Sequence, residues 1–212
     1  MQRGWGSERL APRLSPGRAG SVISNDTDTP SMRCEGARAP AFELPGVSDG
    51  TQTRLGLTDA LADNRAVVLF FYPFDFSPVC ATELCAIQNA RWFDCTPGLA
   101  VWGISPDSTY AHEAFADEYA LTFPLLSDHA GAIADAFGVL QASAEDHDRV
   151  PERAVFLIDA DRVIRYAWAS SDLSESPDLG AVKAAIDDLQ PDTAGVAPRT
   201  ISDAHDDGTT DG

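Results

Sequence analysis

Two cysteines five positions apart lie in the segment Phe71-Tyr-Pro-Phe-Asp-Phe-Ser-Pro-Val-Cys-Ala-Thr-Glu-Leu-Cys85. Ser77 followed by Pro78 is a helix-start signal, with serine at the N-cap and proline at the first helical position. Cys80 then falls in the first turn, where backbone N–H groups lack intrahelical partners and the helix dipole is positive. A thiolate is favoured in such a place, and the thiolate is the nucleophilic form of cysteine. A small, inert, buried cysteine at a helix start fits the same local pattern, so the segment by itself offers a candidate nucleophile and no more. On an intact helix five residues give about 7.5 Å of rise and about 140° of rotation. Disulfide-bonded Cα atoms lie about 4.4–6.8 Å apart, so a Cys80–Cys85 bond would require the first turns to unwind.

The elements that must hold these residues read as alternating strands and helices. Ala66-Val-Val-Leu-Phe-Phe-Tyr72 is continuously apolar, the pattern of a strand buried on both faces of a sheet. The spacing predicts a helix over 78–95, a buried strand over 99–104, a helix over 109–119 and a shorter helix over 130–137. Residues 141–152 read as a polar loop. Two strands, 153–158 and 163–168, flank Asp159-Ala-Asp-Arg162 as a hairpin, and a helix over 179–189 closes the domain. This order predicts an α/β fold with a central mixed β-sheet flanked by helices, and it is similar to that of thioredoxin-like domains.

The chain of 212 residues carries Lys+Arg 15 against Asp+Glu 33, a net charge of −18 and a pI near 4.3. Such an acidic surface repels phosphate backbones and anionic membranes, which argues against nucleic acid and membrane as partners. The longest apolar run, 66–72, is far too short to span a bilayer. All basic residues but Lys183 are arginine, and aspartate outnumbers glutamate. Self-repulsion of this kind fades as salt shrinks the Debye length to roughly 3 Å at molar concentration. The composition resembles that of proteins from halophilic archaea, with an ordinary acidic protein of a GC-rich genome as the alternative. Charge also divides the chain. Residues 1–34 read as a disordered leader rich in Gly, Ser, Pro and Arg, with the second methionine at Met32 marking either a dispensable extension or an upstream start. Residues 35–189 form the domain, and 190–212 a solvated acidic tail. The leader lacks the apolar stretch of a secretory signal, so a cytoplasmic location is expected.

Pro73-x-x-x-Ser77-x-x-Cys80 resembles the Pro-x-x-x-Thr/Ser-x-x-Cys signature of peroxiredoxins, and it follows a buried strand as in that family. Further likeness lies in Ala39-Pro-Ala-Phe-Glu-Leu-Pro45, Gly103-Ile-Ser-Pro-Asp-Ser108, Phe123-Pro-Leu-Leu-Ser-Asp128 and Arg153-Ala-Val-Phe-Leu-Ile-Asp159. Together these cover most of residues 38–190. Cys80, Glu83 and Cys85 form a Cys-x-x-Glu-x-Cys pattern similar to the bacterioferritin-comigratory (PrxQ) branch.

The resemblance implies a thiol-dependent peroxidase acting on hydrogen peroxide or organic hydroperoxides, with no metal, haem or flavin. Cys80 would be the nucleophile, oxidised to a sulfenic acid. Arg153 would set permanent charge and planar donors beside thiolate and peroxide; the alternative for it is a surface ion pair. Ser77 would hydrogen-bond the peroxide, and Pro73 would shape the pocket and shield Cys80. Glu83 matches the family's acid, though a solvent-facing helical glutamate would look the same. Cys85 would attack the sulfenic acid to give a Cys80–Cys85 disulfide, reduced by a thioredoxin-like donor. The alternative is a Cys85 packed in the core and a one-Cys peroxidase. A monomer and a homodimer remain equally compatible.

Cys95, near the expected helix end, reads as a core residue and Cys34 as a bystander. No metal site is expected from a Cys-x4-Cys pair without a second pair or a nearby histidine. His112, His129 and His147 have acidic neighbours and read as solvated. Two rival functions use the same thiol. A dithiol–disulfide exchanger is disfavoured because no Cys-x-x-Cys is present, and a non-enzymatic redox sensor or holdase needs less than the full Pro73/Ser77/Cys80/Arg153 set.

Overall fold

The computed structural model describes residues 31–91 and 95–189. The first elements of the described residues are an antiparallel hairpin, β1 (Glu43–Ser48) and β2 (Thr51–Gly56), followed by α1 (Leu57–Asp63) and β3 (Ala66–Phe71). Next come α2 (Pro78–Ala90), β4 (Leu99–Ser105), α3 (Thr109–Tyr119), β5 (Leu125–Ser127) and α4 (Ala132–Phe137). A second hairpin, β6 (Leu140–Ala144) and β7 (His147–Pro151), precedes β8 (Arg153–Asp159), β9 (Ile164–Ser170) and α5 (Leu179–Asp188).

Among the described residues the main sheet has seven strands in the order β2-β1-β5-β4-β3-β8-β9. β3 pairs in parallel with β4 and antiparallel with β8, so the continuously apolar strand lies in the interior of a mixed sheet, as its composition predicts. Its side chains alternate between two cores. Val68, Phe70 and Tyr72 face a layer built with Leu84 and Ile87 of α2, Phe115 of α3, and Val182 and Ile186 of α5. Val67, Leu69 and Phe71 face the opposite layer, with Leu57 of α1, Phe137 of α4 and Phe156 of β8. The result is the thioredoxin-like arrangement of a mixed sheet covered by helices on both faces.

Several local expectations change. The 43–56 hairpin turns through Asp49 and Gly50, both at positive φ, the geometry that an Asp-Gly pair favours. Residues 141–152 are no loop: 140–151 form the β6–β7 hairpin, which turns through Glu145 and Asp146, again at positive φ. Its polar sequence hides the strands because only Val150 and Pro151 at its end are buried. The helix expected over 78–95 stops at Ala90, where Arg91 adopts φ 51° as a left-handed cap. The helix expected from 130 starts at Ala132, because Asp128 takes the N–H groups of Ala132, Ile133 and Ala134, each at 2.9 Å. The leader and tail lie outside the described residues except for 31–34, where Arg33 N–H donates to the Phe137 carbonyl at 2.9 Å.

Candidate active site

The chain leaves the sheet at Tyr72, whose N–H still donates to Ile104 O at 3.0 Å. Tyr72 lies across Gly103 of β4, where an added Cβ would stand 3.2 Å from the tyrosine ring and 2.7 Å from Leu125 Cδ2. Pro73 follows, buried, at the start of the crossing to α2. Phe76 adopts φ 57°, a left-handed conformation that a bulky side chain seldom takes. Its turn is closed by Ser77 N–H donating to Asp75 O at 2.8 Å. Ser77 occupies the N-cap position and Pro78 the first helical position, as the sequence predicts. The Ser77 hydroxyl, however, makes no cap hydrogen bond. The first intrahelical bond runs from Ala81 N–H to Ser77 O at 2.8 Å, so the amides of Val79 and Cys80 precede the helical ladder.

Cys80 is fully buried, and Arg153 reaches it from the first residue of β8, the strand beside β3. Arg153 Nη2 donates to Cys80 Sγ at 3.2 Å and Nη1 to Glu83 Oε2 at 2.5 Å. Nε donates to the Leu173 carbonyl at 2.6 Å. The guanidinium is 1% exposed, so Arg153 is no surface ion-pair partner but is anchored at three points with one fork aimed at sulfur. Glu83 is not solvent-facing either: it stands one turn beyond Cys80, 5% exposed. Burial pushes its carboxyl up to about 6, with the Arg153 charge pulling the other way.

Cys85 lies further along α2, half-buried, and lines a surface groove with Phe76, Pro78, Ala81 and Tyr119. Both cysteines are free thiols on an intact helix. Cys34 and Cys95 are exposed. Cys95 therefore departs from the core position expected for it, because the helix ends before reaching it.

The structure also brings in residues that the sequence reading passed over. Tyr72 Oη donates to Asp75 Oδ1 at 2.8 Å, and Asp75 Oδ2 lies 2.9 Å from His112 Nδ1. Asp107 Oδ2 accepts both Asp75 N–H at 2.8 Å and the Ser105 hydroxyl at 3.0 Å. Burial, and then the charge of Asp75, raise the Tyr72 phenol well above its ordinary value, which keeps it a donor. His112 is fully buried, not solvated. The available signal was its spacing from Phe115, three residues on along the same helix face. His129 and His147 are exposed as expected, and the His147 ring lies 4.6 Å from that of Phe74.

A buried thiol at a helix start, faced by a buried arginine from a neighbouring strand of a thioredoxin-like sheet, defines the class of thiol-dependent peroxidases. The chain belongs to the AhpC/TSA family, whose model matches residues 36–167, and it is a peroxiredoxin enzyme. It is 36% identical over 135 residues to "Putative peroxiredoxin bcp" of Coxiella burnetii, covering 63% of this chain and 86% of that protein. It is 34% identical over 158 residues to the chloroplastic 2-Cys peroxiredoxin BAS1 of Spinacia oleracea, covering 71% of this chain and 56% of that one. Among solved structures it is similar to peroxidoxin BcpB from Mycobacterium tuberculosis, with a TM-score of 0.63 and 31% identity over 74% of this chain and 98% of that one. Among the described residues no helix is long and apolar enough to cross a membrane.

Proposed function

We propose that Cys80 is the peroxidatic thiolate, Cys85 the resolving thiol, and Arg153, Ser77 and Pro73 the residues that complete the peroxide pocket. The observation that carries this reading is the 3.2 Å contact of Arg153 Nη2 with Cys80 Sγ. A permanently charged planar donor against sulfur suits a thiolate and the oxygen charge that develops as the O–O bond breaks. The Cys80 thiolate attacks the nearer peroxide oxygen, that oxygen becomes the sulfenic acid, and the second leaves as hydroxide or alkoxide to take up a proton. The Val79 and Cys80 amides and the Arg153 fork are the donors for that developing charge. The Ser77 hydroxyl makes no helix-cap bond and is left to hydrogen-bond the peroxide, while Pro73 walls the pocket.

In the second step the Cys85 thiolate attacks the sulfenic sulfur, the S–O bond breaks as the disulfide forms, and the departing hydroxide takes up the proton that Cys85 gave up and leaves as water. The helix start must unwind for this, and it is weakly held from within. It has no side-chain cap and no acidic residue in its first turn, and the Thr82 hydroxyl turns back to Pro78 O at 2.7 Å, a contact that loosens helical turns. A thioredoxin-like dithiol then reduces the disulfide, itself becoming oxidised. Hydrogen peroxide and small organic hydroperoxides are the substrates.

Turnover driven by thioredoxin, thioredoxin reductase and NADPH tests the second step. The Cys85→Ser variant is expected to react with one equivalent of peroxide at the wild-type rate and then to lose thioredoxin-driven turnover by about tenfold or more. Undiminished turnover of that variant would make the protein a one-Cys peroxidase.

A further inference from the structure

Beneath the loop that carries Cys80 lies a buried polar cluster that the peroxide chemistry does not use. Asp75 is 8% exposed and His112 0%. The Asp75 carboxylate takes the Tyr72 hydroxyl on one oxygen and faces His112 Nδ1 with the other. The Asp75 N–H is held by Asp107 and its carbonyl by Ser77 N–H. A carboxylate only accepts, so Nδ1 carries the proton, and among the described residues the buried His112 Nε2 has no partner. A side chain serving only to fill this space would strand no polar atom if it were leucine. What the imidazole adds is one N–H directed at Asp75.

We propose that His112 is a positioning residue that acts through Asp75. It holds the Cys80 loop in the folded arrangement that meets peroxide, against the unwound arrangement that lets Cys80 meet Cys85. The proposal rests on the assignment of Cys80 and Cys85 made above. The loop has little to hold it locally: the helix start is uncapped, and Phe76 sits at an unfavourable φ of 57°. From outside, Phe74 and Phe76 make ring contacts with His147, Phe115 and Tyr119, and the polar anchors are Arg153 at Cys80 and the Asp75 cluster at the other end of the loop. The Arg153 contact must break when Cys80 moves, so of the polar contacts it is the Asp75 cluster that sets how readily the loop opens. Without the His112 N–H, Asp75 Oδ2 lacks its donor only while the loop is folded, because an open loop lets water solvate it. The open arrangement then gains population by about tenfold, equivalent to about 1.4 kcal/mol.

The test compares His112→Asn, His112→Gln and His112→Leu in the full chain. Asparagine can set its amide N–H near the position of Nδ1–H, whereas glutamine reaches toward the position of Nε2 and leucine offers no donor. Stopped-flow oxidation of Cys80 is read together with the partition of its sulfenic acid under excess hydrogen peroxide. That partition is between the disulfide and the sulfinic acid, the latter formed when a second peroxide oxidises the sulfenic acid and leaves as water. For the Gln and Leu variants, the disulfide-to-sulfinate ratio is expected to rise by about tenfold, while oxidation, which uses the majority folded arrangement, should stay within about twofold of wild type. The Asn variant should stay within about twofold of wild type. If Asn and Gln behave alike, or the ratio does not move in Gln and Leu, His112 only fills space and the proposal falls. Should the Leu variant fail to fold, the Asn–Gln comparison decides alone. A wild type that forms neither sulfenic acid nor disulfide would overturn the Cys80–Cys85 assignment and the positioning role with it. A wild type that forms both, beside unaltered variants, would overturn the positioning role alone.

Discussion

Replacing Arg153 with methionine is expected to slow the reaction of Cys80 with hydrogen peroxide by about 10²–10³-fold, the cost of losing a preorganised donor to developing oxygen charge. Methionine keeps much of the stem's length and leaves the sheet intact, but it removes the Nη2 contact to Cys80 Sγ and the Nη1 contact to Glu83. With the guanidinium gone, Glu83 has no counter-charge and becomes protonated, so the fold survives. The Arg153→Lys variant recovers only part of the rate, because an ammonium is a point charge that cannot hold the Leu173 carbonyl, Glu83 and Cys80 together through a planar fork. Stopped-flow rates for both variants check this. A methionine variant within about threefold of wild type would separate Arg153 from the chemistry.

The second large effect falls on stability. Glu83→Ala leaves the Arg153 guanidinium buried beside no carboxylate, and breaking a buried pair in this way costs about 3–5 kcal/mol, to be read from urea unfolding at neutral pH. Glu83→Gln keeps an acceptor and isolates the titration. The wild-type carboxyl is raised from 4.5 to about 6 because burial outweighs the attraction of Arg153. Folding therefore favours the protonated form. That contribution is full below pH 4.5 and is lost as pH rises through about 6. The Gln variant cannot lose it, so between about pH 4 and about pH 8 it should gain roughly 2 kcal/mol relative to wild type. A constant difference across that range would mean that Glu83 titrates at its ordinary value.

The parts of this molecule readable in its sequence are those with strong local signals. The 66–72 run has no polar residue to place on a solvent face, so it had to be an interior strand, and Ser77-Pro78 fixed the start of α2 and the turn that carries Cys80. Arg153, 73 residues from Cys80, was tied to it only by resemblance, since no local pattern encodes a contact between β8 and the start of α2. The β6–β7 hairpin escaped because its pairing is polar and its turn, Glu145-Asp146, takes positive φ without glycine. From sequence His112 reads as solvated, and Glu83 fits either the family's acid or a solvent-facing residue, because each carries a polar side chain on a helix. Only the packed structure shows that each lies on the inward face, with a buried partner waiting on another element.

The most direct test of the account is the intact mass of the reduced protein after one equivalent of hydrogen peroxide. The exposed Cys34 and Cys95 are first replaced by serine, so that only Cys80 and Cys85 are counted. In that background the parent should lose two hydrogens and both thiols, with peptide mapping placing the bond between Cys80 and Cys85, while a further Cys80→Ser change should leave the protein unmodified. A Cys80→Ser protein that still reacts with peroxide as fast as its parent would contradict the central claim.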